Sequence, residues 1–216
     1  MSLESIISAL LSAIIKSEFP QQALASIMDK WRTSQFKGAY DVHTFYATFE
    51  LLDKKGHLAT YTKRAKVRFL QNLVFAIQDQ AWGDGNIFAE YRCTPGVPVD
   101  KYQEGYRQYV VISLRRNYQK GDVQELVTER TIEDGFLSTN ETFQIQVDYP
   151  TKELSTTIIF PKGRHPKSIA IVENNLKLSH QLGKDHETSL PDGRVSYTWW
   201  VKRPRLFEGY IFKWEW

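Results

Sequence analysis

Beyond residue 40 the apolar pattern stops recurring every three to four residues and alternates every second residue, and this change of period constrains the fold more than any other feature. In YDVHTFYATFELL, His43, Phe45, Ala47, Phe49 and Leu51 fall on one side of an extended chain, with Val42, Thr44, Tyr46, Thr48 and Glu50 on the other. Asp53, Lys54, Lys55 and Gly56 supply a turn and HLATYTKRAKVRFL runs back, which predicts an antiparallel hairpin. LVFAIQD, IFAEYRC and QYVVISLRR then read as more central strands, separated by WGDG and TPGVPVD. DVQELVTERTI is ambiguous by composition, but Val123, Leu126 and Val127 do not complete a helical stripe, so a strand is expected.

After Gly135 the chain continues as FLSTNETFQIQVDYP, ELSTTIIFP, KSIAIVE, LKLSHQL, VSYTWWV and GYIFKWEW. Each run has the length of a strand, and turn signals bound them at Asn140, Pro150, Pro161 to Pro166, Asn174 with Asn175, Asp192 with Gly193, and Pro204. No helical pattern lies between them, which excludes the βαβ alternation of a doubly wound nucleotide-binding sheet. The expected fold is mainly β, an antiparallel β-sandwich or open barrel of roughly 11 to 12 strands with an N-terminal αα-hairpin. The terminal run YIFKWEW carries so much aromatic area that it should be paired inside a sheet.

The hairpin is read from residues 1–35. Leu3, Ile6, Ile7, Leu10, Leu11, Ile14 and Ile15 make one amphipathic stripe; Leu24, Ile27, Met28 and Trp31 make another after Pro20. A signal peptide needs a basic start, yet the first charge is Glu4; a membrane span needs an unbroken apolar run, yet Ser5, Ser8, Ser12 and Lys16 interrupt it. Residues 36–216 are expected to form the β domain, with a subdivision near 94–104 as the alternative.

Composition bounds the function only loosely. Charged residues at 25% and hydrophobic residues at 42% give a chain that can bury a core, and a net charge of +3 does not by itself imply nucleic acid. The single cysteine, Cys93, points to a reducing, cytoplasmic setting and reads as a small buried hydrophobe. No nucleophile elbow, phosphate-binding loop or zinc-binding cysteine pair is present, so no catalytic residue, cofactor or metal is assigned. His180 and His186, with Asp185 and Glu187, have metal-ligating atoms but no coordination spacing, and a solvated loop is the expected reading. Asn140-Glu141-Thr142 matches a glycosylation sequon by chance in such a setting.

Two segments carry candidate ligand-binding residues. In QDQAWGDGN, Asp79 and Asp84 flank Trp82, and a glycine-rich turn is weighed there against a rim loop able to hold a cation or perform acid–base chemistry. Arg64, Lys66 and Arg68 leave the same face of a strand, and basic clusters follow at Lys162 to Lys167 and Lys202 to Arg205. Converging clusters would suit an anionic ligand; dispersed ones are a solvated sheet face. The sequence is therefore read as a soluble, non-enzymatic binding module, with a protein partner or self-association through the N-terminal helices and no membrane. Nucleic acid or nucleotide binding through the basic face is the alternative, and a carboxylate-dependent hydrolase at QDQAWGDGN the second.

Overall fold

The computed structural model describes residues 38–216, and the helical hairpin read over residues 1–35 lies outside them. Gly38–Trp216 is one compact unit. Its strands are β1 (Tyr40–Leu51), β2 (Leu58–Phe69), β3 (Val74–Ala81), β4 (Asn86–Thr94), β5 (Val97–Glu104), β6 (Arg107–Tyr118) and β7 (Val123–Glu133). They continue as β8 (Asn140–Gln146), β9 (Thr151–Phe160), β10 (Ser168–Glu173), β11 (Leu178–Gln181), β12 (Glu187–Ser189), β13 (Val195–Lys202) and β14 (Gly209–Glu215). Among the described residues only a 3-10 turn at Lys184–His186 is helical, and no helix is long and apolar enough to cross a membrane.

Among the described residues 14 strands, against roughly 11 to 12 expected, make three open sheets, none of them closed; of the expected sandwich or open barrel, the mainly β character holds. A seven-stranded sheet runs β12-β13-β9-β1-β2-β7-β4, a four-stranded sheet β11-β10-β14-β8, and a three-stranded sheet β3-β6-β5. The difference lies in strand pairing, which is set by contacts far apart in sequence. Instead of continuing an antiparallel meander, β9 returns beside β1 and pairs with it in parallel. The hairpin of β1 and β2, the extended form of Val123–Glu133 and the placement of β14 between two neighbours all agree with the alternation.

Both smaller sheets pack on one face of the large sheet. Phe49 of β1 stacks on Phe143 of β8 at 4.6 Å, while Trp199 of β13 meets Tyr210 of β14 at 4.7 Å. Phe69 of β2 stacks on Tyr118 of β6 at 4.4 Å. The buried side chains therefore alternate along β2 as Tyr61, Ala65, Val67 and Phe69, with Lys63 the one polar member of the series. Burial of this area drives the layers together at roughly 25 cal/mol per Å².

One parity differs from the sequence reading. Val42 is buried together with Ala47, Phe49 and Leu51, because the β1–β2 register is irregular between Val42 and Thr44. The extra residue, His43, reverses which side of the strand the preceding positions face. At the other end of the same hairpin Gly56 has φ +81°, and a Cβ there would collide with the Phe136 carbonyl. That close approach seats the β1–β2 turn on the β7–β8 connection.

Candidate functional site

The face of the seven-stranded sheet opposite the two smaller sheets is not covered by any other described element. Arg64, Lys66 and Arg68 all lie on it and all are exposed, as their spacing requires. Arg68 is paired with Asp41 at 2.5 Å, whereas Arg64 and Lys66 have no ion-pair partner among the described residues.

Register arranges this open face in rows across the strands. Trp200 of β13 lies opposite Ser155 of β9, Ser155 opposite Tyr46 of β1, and Tyr46 opposite Arg64 of β2. Trp200 is 59% exposed and Tyr46 44% exposed, and the Tyr46 hydroxyl donates to Glu153 at 3.4 Å. The row on one side is four threonines on the same four strands, Thr198, Thr157, Thr48 and Thr62, of which the first two share a hydrogen bond at 2.9 Å. The row on the other side is Lys202, Glu153, Thr44 and Lys66.

Charge on this face is mixed. Glu153 stands opposite Lys202, Glu125 of β7 opposite Lys66, and Glu129 opposite Thr62. The basic clusters also disperse. Arg164 donates to the Lys54 carbonyl and lies 3.7 Å from the Trp216 ring, at the turn end of β2. Six residues of extended strand, about 20 Å, separate that end from Arg64. Of the later clusters, register places Lys202 on the same face as Lys66.

QDQAWGDGN divides between the interior and a turn. Asp79 lies on β3, is 6% exposed, bonds the Lys63 ammonium of β2 and accepts the Tyr91 hydroxyl of β4 at 2.9 Å. Burial by itself would raise its pKa, but the Lys63 and Arg130 charges and both hydrogen bonds hold it below the usual carboxylate range. Asp84 sits in the exposed β3–β4 turn, where Gly85 at φ +70° lets the backbone approach the Glu133 and Asp134 carbonyls. Trp82 lies under the Arg107 guanidinium at 4.6 Å. The two carboxylates thus have different surroundings and do not make an acid–base pair.

A second carboxylate extends the interior network. Asp148, between β8 and β9, accepts Gln80 at 2.6 Å, and Gln80 in turn accepts Arg107 at 2.9 Å. Burial raises the Asp148 pKa, Asp79 adds to the rise, and Gln80, Arg107 and Lys63 only partly oppose it. Cys93 faces the same interior, where burial and then the Asp79 charge push its thiol up, the opposite of what a nucleophile needs.

The histidines are dispersed. His180 pairs with Glu173 at 3.5 Å and His186 meets the Thr198 carbonyl at 3.0 Å. Among the described residues no three His, Cys, Asp or Glu side chains come together as a metal site.

No family model and no curated protein matches the chain. Solved structures do. A two-domain M1 zinc metallopeptidase variant bound to L-tryptophan aligns with a TM-score of 0.50 at 12% identity, over 81% of this chain and 42% of that one. An M1 zinc metallopeptidase from Deinococcus radiodurans aligns with a TM-score of 0.48 at 11% identity, over 82% of this chain and 42% of that one. The chain spans less than half the length of these structures, and the likeness is one of backbone fold.

Tyr46, Trp200, Lys63, Arg130 and Asp148 were not singled out by sequence reasoning. Alternation alone places Tyr46 and Arg64 outside and Lys63 inside, but only the register of β9 against β1 and β13 aligns Tyr46 with Trp200.

Proposed function

We propose that the β domain is a non-catalytic recognition module whose binding surface is the open face of the seven-stranded sheet. The observation that carries this is the row Trp200–Ser155–Tyr46–Arg64, which presents two exposed aromatic rings, Trp200 with the Lys202 ammonium 5.9 Å from its centroid, on a sheet stiffened from behind by two others. Aromatic rings and arginine are the residue types that anchor partners most strongly, and rigid strands fix them without an ordering cost. The apolar stripes of residues 3–15 and 24–31 support a second contact within the same reading, association with a protein partner or another copy. A cytoplasmic setting goes with it.

Binding of nucleic acid or a nucleotide through Arg64, Lys66 and Arg68 is the weaker reading, because Glu125, Glu129 and Glu153 share the face and Arg68 is already paired. A hydrolase built on Asp79 and Asp84 is weaker still, since Asp79 is committed to Lys63 and Tyr91.

A photo-reactive benzophenone side chain placed at Tyr46, with Gln103 on β5 as the control position, tests the surface in cells by inserting into C–H bonds of whatever covers it. Adducts at position 46 that disappear with Trp200→Ala and do not form at position 103 are expected. No adduct at position 46, or equal adducts at both positions, would refute the assignment.

A further inference from the structure

Resting on the open face as the recognition surface, we propose that its ligand is an extended, uncharged carbohydrate chain lying across the strands, stacked on Trp200 and Tyr46. The two rings occupy one row with a single strand between them, so their attachment points are about 10 Å apart at two inter-strand spacings. A pyranose in an extended chain is about as long as one such spacing of roughly 4.8 Å, so a sugar on Trp200 leaves one unit over Ser155 and brings the next onto Tyr46. The C–H face of a pyranose meets the negative face of an aromatic ring favourably.

The flanking rows suit the same ligand. Thr48, Thr157 and Thr198 set hydroxyls along one side, and Lys202, Glu153 and Lys66 set charged donors and acceptors along the other. Sugar hydroxyls both donate and accept, and they can use both rows. Other ligand classes fit less well. A polyanion would meet Glu153 and Glu125 beside each lysine. An extended peptide gains its main-chain hydrogen bonds at a sheet edge, whereas β9, β1 and β2, which carry Ser155, Tyr46 and Arg64, are each paired on both sides and β13 is paired outward only at Val195–Tyr197. A folded protein would want a continuous apolar centre, and the rows beside the aromatic one are hydroxyl and charged.

The test is calorimetric titration of the full chain with hexasaccharides of β-1,4-glucose, β-1,4-xylose, β-1,4-mannose, β-1,3-glucose and α-1,4-glucose, followed in parallel by tryptophan fluorescence. At least one should bind with a sub-millimolar constant, and the corresponding disaccharide, too short to reach both rings, should bind about tenfold more weakly. Trp200→Ala and Tyr46→Ala should each cost about tenfold while leaving the thermal midpoint unchanged, since both side chains are exposed. Tyr46→Phe should keep most of the affinity, and raising the salt should change little.

Absence of binding across the panel would overturn the carbohydrate assignment, as would binding indifferent to both aromatic substitutions. Salt-sensitive binding of an oligonucleotide lost in Arg64→Glu, or a polypeptide adduct at position 46, would also overturn it. The cross-linking experiment separates the two claims: adducts at position 46 without oligosaccharide binding remove the sugar and keep the face, and no adduct removes the face itself.

Discussion

Lys63 and Lys66 stand three residues apart on the same strand and have opposite fates. Lys63 faces the smaller sheets, is 20% exposed and ties β2 to the buried Asp79 of β3; Lys66 faces solvent with no ion-pair partner among the described residues. The pleat alone separates them, since an odd spacing puts two side chains on opposite faces. The covered face thus uses a lysine to join layers, while the open face leaves Arg64 and Lys66 without an ion-pair partner among the described residues. A basic run in a strand is therefore two populations, and only the odd or even position tells which residues are available to a ligand.

The largest expected effect comes from breaking the inner pair. Lys63→Met leaves Asp79 buried with only the Arg130 charge and the Tyr91 hydroxyl beside it and should cost about 3 kcal/mol in urea unfolding, whereas Lys66→Met should change stability by less than about 0.5 kcal/mol. Equal effects of the two substitutions would erase the distinction between the faces.

A smaller effect sharpens the contrast within the interior. Asp79 has a lowered pKa in the fold, so its contribution is present above the unfolded carboxylate pKa and is lost as pH falls through the folded one. Asp148 has a raised pKa, so its contribution is complete below the unfolded value and is lost as pH rises through the folded one. Asp148→Asn should therefore raise Tm at pH 7, and the gain should vanish in acid once the wild-type carboxyl is protonated. A Tm lowered at pH 7 would place Asp148 among the stabilising ionised groups instead.

The fold was legible in the sequence wherever the information was local. Alternation in YDVHTFYATFELL and HLATYTKRAKVRFL gave the hairpin and the shared face of Arg64, Lys66 and Arg68, and the aromatic load of YIFKWEW marked a strand paired on both sides. The parity of Val42 was not legible, because the irregularity at His43 depends on the partner strand. Nor was the division into three sheets, which follows from β9 pairing with β1 across more than a hundred residues.

The candidate site divides in the same way. The outward basic residues were readable, while the alignment of Tyr46 with Trp200 needs two registers at once. Asp79 appeared in the sequence as part of a polar loop because Gln78, Asp79 and Gln80 look hydrophilic. They are strand residues whose polar groups find partners on other elements, Asp79 with Lys63 of the large sheet, Gln78 with Tyr102 of β5 in its own sheet and Gln80 with Asp148 of the β8–β9 connection.

The account rests most heavily on one sheet having a covered face and an open one. Single cysteines introduced in a Cys93→Ser background at positions 46, 64 and 200, and at 61, 65 and 154, test this through thiol-labelling rates of the full-length native protein. The first three should label at rates close to those of the unfolded chain, and the last three only through global opening. Protection of positions 46, 64 and 200 to the same degree as the buried three would show that the face is covered, and would contradict the recognition surface proposed for it.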